Sequence, residues 1–256
     1  MVVATETQGI PQDIIDQFRQ IDVACITDVV HGLKLNCIYH GIKPLVRDWK
    51  ICGPAVTIRL IPLQDSQNWF NEERHPGSLM QLTKPGDVIC IDQGGREDVT
   101  IWGGHTATKA KAVELGGVII DGSCRDSEEI IEAGCPTFTK NTTSLHGHGT
   151  LRTTCYNSEP IQLGTISVAP GDLIIGDADA IVVIPASRAA EILPLAQELH
   201  RQDLGTYDSI RSGDNTKSPR SSSDEEPHSE ARIRRWNLMG MAVPPPGFKT
   251  GMESSK

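Results

Sequence analysis

Apolar and polar residues alternate in regular blocks over the first 200 positions, and these blocks predict alternating strands and helices. Apolar or β-branched runs typical of strands occupy 51–61, 88–92, 117–121 and 181–185. Apolar residues recur at helical spacing over 11–20, 26–30, 103–117, 126–134 and 187–202. Ser187 is the expected N-cap of the last helix and Pro194 its expected bend. The order of elements between 86 and 134 predicts an α/β fold with a parallel or mixed central sheet.

The tripeptide Pro-Gly-Asp occurs twice, at 85–87 and at 170–172, each time directly before an apolar run. Pro-Gly is typical of a tight turn, and the apolar run after it predicts a buried strand. We therefore expect two strands of one sheet to be entered through similar turns. The repeat is too short to indicate a duplicated domain.

The C-terminal part of the chain differs in composition from the rest. Residues 201–230 are rich in Ser and charged side chains, and they lower the hydrophobic fraction of the 256-residue chain to 38%. We predict one globular domain over 1–202 and a polar, disordered tail over 203–256. Within that tail, Trp236, Leu238 and Met239 mark 236–248 as a segment able to dock on the body or on a neighbour.

Charge and composition exclude several function classes. The net charge is −9 and the sequence pI is about 5.4, without a Lys/Arg cluster outside the tail, so we predict no nucleic-acid partner. No apolar run approaches the roughly 18 residues that span a bilayer, and the first residues lack the features of a signal peptide. We therefore predict a cytoplasmic protein with no membrane partner. Seven cysteines without a C-x-x-C pair predict reduced, inert thiols.

Two loops that follow predicted strands carry candidate chemistry. Residues 103–106 (GGHT) open a helix, where paired glycines let a ligand approach and free amides attract an anion. Residues 121–126 (DGSCRD) follow the next strand, where an Arg beside a carboxylate suits a divalent-metal site. The plainer alternatives are a tight Gly-Gly loop, and a helix capped by Asp126 with Arg125 in solvent. Ligands bind at strand carboxyl ends in open α/β sheets, so we expect both loops at one edge.

Two segments carry a resemblance to the RraA-like family: GDVICIDQGGREDVTIWGGHTATKAKAVELGGVIIDGSCRD (86–126) and PGDLIIGDADAIVVIP (170–185). The resemblance covers about residues 20–200. The family includes class II pyruvate aldolases that act on 4-hydroxy-4-methyl-2-oxoglutarate and 4-carboxy-4-hydroxy-2-oxoadipate and often also decarboxylate oxaloacetate. It also includes the regulator of ribonuclease E activity A. The resemblance implies a swivelling α/β/α (RraA-like) sandwich with a central mixed sheet, and a homotrimer or hexamer with sites at its subunit interfaces.

The resemblance also implies a role for each residue of the two loops. Arg125 would contact the substrate and the enolate oxygen, and Asp126 would ligate Mg²⁺ or Mn²⁺, largely through waters. The substrate carboxylate would be held by the backbone amides of Gly103, Gly104, His105 and Thr106.

Two positions depart from the family pattern. The aldolases carry an acid after the first glycine of the loop, where it orients a metal-bound water used in proton transfer, and this chain has Gly104 there. A later D-x-D-G element ends in Ala180 instead of Gly. Retro-aldol cleavage needs a base to take the proton from the substrate 4-hydroxyl. The candidates are His105, Asp98, Asp92 or a group from a neighbouring chain.

These features together predict a divalent-metal-dependent carbon–carbon lyase that acts on a 2-oxo acid through a pyruvate enolate. The reaction would be decarboxylation of an oxaloacetate-like acid or retro-aldol cleavage of a 4-hydroxy-2-oxo acid, with Arg125 and His105 as catalytic residues. The alternative is a non-catalytic regulatory binding protein of the RraA type, a role that the Ser/Asp/Glu-rich tail would suit.

Overall fold

A computed structural model describes residues 9–63, 77, 80–147 and 150–213. Their helices are α1 (Gln12–Phe18), α2 (Val23–Gly32), α3 (Gly104–Ala112), α4 (Ser127–Ala133) and α5 (Ala189–Arg211). The first strands are β1 (Ile38–Tyr39), β2 (Lys43–Pro44), β3 (Ile51–Pro62), β4 (Val88–Asp92), β5 (Gly117–Cys124) and β6 (Thr137–Thr142). The later strands are β7 (Leu151–Tyr156), β8 (Ile161–Leu163), β9 (Ile166–Val168), β10 (Leu173–Gly176) and β11 (Ile181–Ile184). Short 3₁₀ turns lie at Met80–Leu82 and Ala186–Arg188.

The described strands form one curled mixed sheet with the order β1-β11-β10-β3-β4-β5-β6-β2, and β7 pairs with the far end of β3. Strands β3 to β6 run parallel to one another, whereas β10, β11 and β1 extend the sheet from β3 with each strand antiparallel to the one before it. Strands β8 and β9 form a separate hairpin. The mixed α/β fold predicted from the apolar blocks is therefore confirmed.

Alternate residues of the strands pack into different clusters. Ile89 and Ile91 of β4 pack with α3 and α4, whereas Val88 and Cys90 pack with the β8–β9 hairpin. Helices α1, α2 and α5 cover β10 and β11 through a third cluster. Every residue of β4 and β5 is buried, as expected for parallel strands that are covered on both faces.

The two Pro-Gly-Asp turns adopt the same conformation. Gly86 and Gly171 have φ angles of 86° and 84°, which is the left-handed value that the third residue of a type II turn requires. In the first turn the Asp87 carboxylate accepts a hydrogen bond from the Lys84 amide at 2.7 Å. In the second, Asp172 accepts one from the Ala169 amide at 2.8 Å. The strands that follow, β4 and β10, both pair with β3, so they lie in one sheet, as the repeat predicts.

The C-terminal helix differs from its predicted bounds at both ends. Ser187 lies in the 3₁₀ turn, so α5 begins at Ala189 with Arg188 as its N-cap, and it runs past Pro194. It continues to Arg211, so the predicted tail start at residue 203 falls inside the helix. Hydrogen bonds along the helix involve its polar side chains, such as Thr206 Oγ1 to Gln202 O at 3.0 Å.

The remainder of the predicted tail, including the proposed docking segment 236–248, lies outside the described residues. Among the helices that are described, none combines the length and apolar character needed to cross a bilayer.

Candidate active site

The two candidate loops meet at the carboxyl edge of the parallel strands β4 and β5. The strands are in register from Val88 opposite Gly117 to Asp92 opposite Asp121. Helix α3 begins after the loop that leaves β4, and two residues separate the end of β5 from the start of α4. The Arg125 amide donates a hydrogen bond to the Trp102 carbonyl at 3.0 Å and ties the loops together. Their expected position at one edge of the sheet is confirmed.

Both glycines at the start of α3 lie against close neighbours. A Cβ atom added to Gly103 would lie 2.6 Å from Asp126 Oδ2 and 3.0 Å from Arg125 Cγ. A Cβ atom added to Gly104 would lie 2.7 Å from the Cβ atom of Glu129 on α4. The Gly-Gly pair therefore does more than shorten a loop, because it lets the residues of the second loop pack against the first turn of α3.

Asp126 has a left-handed backbone, with φ 52° and ψ 48°. Few non-glycine residues adopt this conformation, although Asp tolerates it better than most, and such strain is concentrated at functional sites. Asp126 occupies the N-cap position of α4, and its carbonyl accepts a hydrogen bond from the Ile130 amide, but its side chain makes no capping hydrogen bond. Its carboxylate instead accepts hydrogen bonds from the Gly104 amide at 3.3 Å and from Arg125 Nε at 3.0 Å.

The Nε atom of Arg125 binds Asp126, and the two Nη atoms of the guanidinium remain available to bind a ligand. Nε contacts both oxygens of Asp126, at 3.1 and 3.0 Å. Within the described part of the chain, nothing accepts a hydrogen bond from either Nη nitrogen of Arg125, and about a third of its side chain is exposed. A fixed guanidinium with free Nη atoms can donate two hydrogen bonds to an oxyanion.

The first turn of α3 offers backbone donors rather than side chains. The Thr106 side chain is buried, and the His105 side chain is exposed. The Gly104 amide bonds to Asp126, but among the described residues the amides of His105 and Thr106 have no acceptor. Free amides at a helix N-terminus attract an anion. The amides of His105 and Thr106 are therefore available for the backbone role expected of this loop, whereas the Gly104 amide is occupied, and the role itself stays a prediction.

Two cavities open at this edge. The helix cavity, of about 570 Å³, lies between α3 and α4, and its lining includes His105 and Glu132. The loop cavity, of about 470 Å³, lies between α4 and residues 142–144. Arg125, Asp126 and Glu129 line both. Glu129 was not predicted from the sequence, in which its only signal is its position one helical turn after Asp126.

Three further acidic residues, the candidate bases Asp92 and Asp98 and the first residue of the second loop, Asp121, bind other partners. Asp92 pairs with Arg59 at 3.3 Å and accepts two backbone hydrogen bonds. Asp121 lies inside β5, where it accepts hydrogen bonds from the Tyr39 hydroxyl at 2.8 Å and the Gly164 amide at 3.0 Å and pairs with Lys140 at 2.6 Å. The Arg96 guanidinium binds Asp98 through two hydrogen bonds and lowers the pKa of its carboxyl group.

A divalent cation would have Asp126 as its protein ligand at this site. Among the described residues, no group of three or more His, Cys, Asp or Glu side chains is arranged to hold a metal ion. The Asp126 carboxylate is about a third exposed. Its Oδ2 atom accepts hydrogen bonds from both the Gly104 amide and Arg125 Nε, whereas Oδ1 accepts only from Arg125 Nε and keeps a lone pair for a cation. A single carboxylate fits Mg²⁺ or Mn²⁺, which retain several waters, and does not fit the nitrogen and sulfur ligands typical of zinc.

Comparison with known proteins identifies relatives that match most of the described part of the chain. The family model described as RraA-like (Aldolase/RraA) matches residues 14–183. A Halalkalibacterium halodurans protein, named provisionally as a 4-hydroxy-4-methyl-2-oxoglutarate aldolase, is 31% identical over 195 residues, which are 75% of this chain and 85% of that protein.

Solved structures share the fold. An uncharacterized Pseudomonas syringae protein superposes with a TM-score of 0.72 and 25% identity, over 81% of this chain and 96% of that chain. Streptomyces coelicolor RraAS2, described as an unusual member of the RNase ES inhibitor RraA protein family, gives a TM-score of 0.68 at 23% identity. That match covers 78% of this chain and 98% of RraAS2.

Proposed function

The chain belongs to the RraA-like family, and we propose that it is a divalent-metal-dependent carbon–carbon lyase that acts on a 2-oxo acid through a pyruvate enolate. The observation that carries this proposal is the Arg125–Asp126 pair, held against the first turn of α3 with the Arg125 Nη atoms free. Relatives named as aldolases support an aldolase-type lyase at the level of the family.

Substrate binding follows from the donors at the site. The free amides of His105 and Thr106 would hold the carboxylate of the 2-oxo acid, because two N–H groups at a helix start match its charge. The Arg125 Nη atoms would donate to the 2-oxo oxygen, where negative charge grows as the enolate forms. Such donors are already oriented before the reaction, which makes them effective in stabilising the transition state.

Asp126 would hold the divalent cation and would also fix Arg125 through its Nε atom. When bound there, the cation would act as a Lewis acid that stabilises negative charge on the substrate. The left-handed backbone of Asp126 directs its carboxylate across to α3 instead of onto α4, so cation and guanidinium would act on the same substrate group.

The two reactions of this chemistry place different demands on the site. Decarboxylation of an oxaloacetate-like acid needs only a group that stabilises the enolate while CO₂ leaves. Retro-aldol cleavage of a 4-hydroxy-2-oxo acid also needs a base near the 4-hydroxyl. Of the bases considered from sequence, Asp92 and Asp98 are paired with arginines, which leaves His105 exposed in the helix cavity.

Pyruvate release tests the proposal directly. The purified protein is incubated with oxaloacetate or a 4-hydroxy-2-oxo acid in Mg²⁺ or Mn²⁺, with and without EDTA, and pyruvate is measured with lactate dehydrogenase. We expect release above the uncatalysed rate that EDTA abolishes and added metal restores. Turnover unaffected by EDTA, or full activity in Asp126→Ala, would contradict the proposal.

The site also bears on the alternative of a purely regulatory binding protein. Enolate chemistry uses both a guanidinium that faces the developing oxyanion and a carboxylate that holds a cation, and Arg125 and Asp126 supply these two groups side by side. The similarity to RraAS2 shows that the two proteins share a fold.

A further inference from the structure

We propose that residues 232–239 (RIRRWNLM) dock on an exposed apolar stripe of helix α5 in the same chain, the α5 stripe, which is formed by Leu204, Tyr207 and Ile210. The contact is independent of the proposed function, because none of these residues lines the candidate active site. The position of the stripe, the charges around it, the pattern of the segment and the length of the linker all support this contact.

The α5 stripe continues the side of the helix that packs on the body. Core residues recur along that side at spacings of four and three: Ile192, Ala196 and Leu199. The next position in this pattern is Asp203, which still reaches α2, because its carboxylate accepts a hydrogen bond from the Cys25 thiol at 3.5 Å. The body-facing side of α5 is therefore defined up to the turn before Tyr207.

Beyond Asp203 the same side of the helix is apolar and uncovered. Tyr207 and Ile210 follow at spacings of four and three, in phase with the buried positions, and Leu204 lies one turn before Tyr207. The exposed fractions of Leu204, Tyr207 and Ile210 are 48%, 54% and 50%. Large apolar side chains that share one exposed helix face mark an interaction site.

The surroundings of the α5 stripe are acidic. Burial and the negative charge of Asp203 raise the pKa of the Cys25 thiol to about 12, and the charges of Asp22 and Asp28 contribute to the same shift. Three carboxylates therefore lie around one thiol at the contact between α2 and α5, one turn before Tyr207. An occupant that carries basic residues beside apolar ones complements such a surface.

The segment 232–239 has this combination. Its first four residues include three arginines, and Ile233, Trp236 and Met239 recur every third position, so a helix would place them on one side. From residue 214 onwards the chain holds 7 of the 24 Lys and Arg and 6 of the 33 Asp and Glu. The first 213 residues thus carry 17 against 27, a net charge of −10, which attracts a basic segment.

The linker is long enough for the segment to reach the stripe of its own chain. Helix α5 ends at Arg211, and Leu204 lies seven residues earlier, about 10 Å along the helix axis. A flexible chain of the length of 214–231 has a root-mean-square span of about 23 Å. Tethering within this range gives an effective concentration of roughly 1 mM, so a contact of modest affinity is sufficient.

Amide hydrogen exchange of the full chain, measured by mass spectrometry, tests whether the segment is covered. We expect the amides of 232–239 to exchange at least about 10-fold more slowly than in denaturant, and those of 214–231 to exchange at about the denatured rate. Tyr207→Asp and Ile210→Asp should each abolish the protection. Gly205→Asp is the matched control: it puts the same charge on the same helix, roughly 150° away from these two side chains, and nothing lies within 4 Å of the added Cβ atom.

A variant of the segment itself separates loss of the contact from a disturbed helix. Trp236→Ala leaves α5 unchanged and should also abolish the protection of 232–239. Pyruvate release by Tyr207→Asp should stay at the wild-type rate, so the lyase function is tested separately from the docking.

The remaining outcomes overturn the inference. Rapid exchange of 232–239 in the wild-type protein would show that the segment is not docked. Protection that survives both Tyr207→Asp and Ile210→Asp would place the segment on another surface, and protection that disappears on dilution would assign it to a second copy. If light scattering shows that these substitutions lower the mass of the assembly while 232–239 stays protected, a second copy covers the α5 stripe instead.

Discussion

Contacts between segments that are distant in the sequence position the individual residues of the site, and no single segment of the sequence predicts these contacts. Arg125 and Asp126 could be predicted from the D-G-x-x-R-D element, and both lie at the predicted edge. The sequence alone does not show that Asp126, rather than Asp92 or Asp121, supplies the carboxylate of the site. Arg59 and Lys140 bind those two carboxylates from distant segments, and only the folded sheet brings these partners together. Glu129 was not predicted because its contact with Gly104 on α3 also exists only in the folded protein.

Gly103 provides a test of the close packing between the two loops. In Gly103→Ala the added Cβ atom would lie 2.6 Å from Asp126 Oδ2, so the carboxylate must move away from its present place. We expect pyruvate release to fall by about 10²-fold, because small displacements of positioned groups cost that much, while the far-ultraviolet circular dichroism spectrum stays unchanged. Gly205→Ala is the control, since nothing lies within 4 Å of the added atom. Wild-type activity in Gly103→Ala would show that the site tolerates a displaced Asp126.

Secondary-structure elements were predictable where their periodicity is strong. Strands β4, β5 and β11 and helices α3 and α4 lie where the apolar runs and helical spacings place them. Strands β8 and β9 were missed because they have only three residues each, and β6 and β7 were missed because polar residues interrupt their apolar pattern. β6 carries Lys140, whose partners Asp121 and Tyr39 lie on other strands. Helix α5 extends beyond its predicted end. Hydrogen bonds of polar side chains within the helix stabilise a segment whose composition is typical of a disordered tail.

The second Pro-Gly-Asp turn predicts a measurable contribution to stability. The two oxygens of buried Asp172 accept hydrogen bonds from the Ala169 and Ala186 amides, at 2.8 and 3.0 Å. Asp172→Ala should lower the free energy of unfolding by about 2–4 kcal/mol, because two backbone donors lose their acceptor. Asp87→Ala, which removes one acceptor, should lower it by about half as much. Urea denaturation of both variants checks the order, and a larger loss in Asp87→Ala would contradict it.

At the scale of the whole molecule, the thiols are predicted to be inert. All seven cysteines are buried. Burial raises the pKa of Cys25 and Cys52 to about 12, and that of Cys124 and Cys135 to about 11. Thiols react as thiolates, so we expect almost no reaction with DTNB at pH 8 in the native state and seven thiols in denaturant. Rapid labelling of the native protein would identify a reactive cysteine that the fold does not explain.

The assembly expected from the family resemblance gives a second prediction at this scale. Two large apolar side chains stay exposed beside the site, Ile131 on α4 and Leu145 next to the loop cavity, at 43% and 58% of their surface. A neighbouring chain could cover them. Light scattering should then give three or six times the 27.8 kDa chain mass, and Leu145→Asp should reduce it. A wild-type monomer would contradict the trimer or hexamer.

The most direct test of the enolate site uses pyruvate alone, because it does not depend on the unknown distal half of the substrate. Proton NMR in D₂O follows the exchange of the pyruvate C3 protons, which occurs only through the enolate. With Mg²⁺ or Mn²⁺ the protein should accelerate this exchange, EDTA should abolish the effect, and Arg125→Ala should slow it by roughly 10²–10³-fold. Exchange no faster than in buffer, or unchanged by EDTA and by Arg125→Ala, would contradict a metal-dependent enolate site at Arg125 and Asp126.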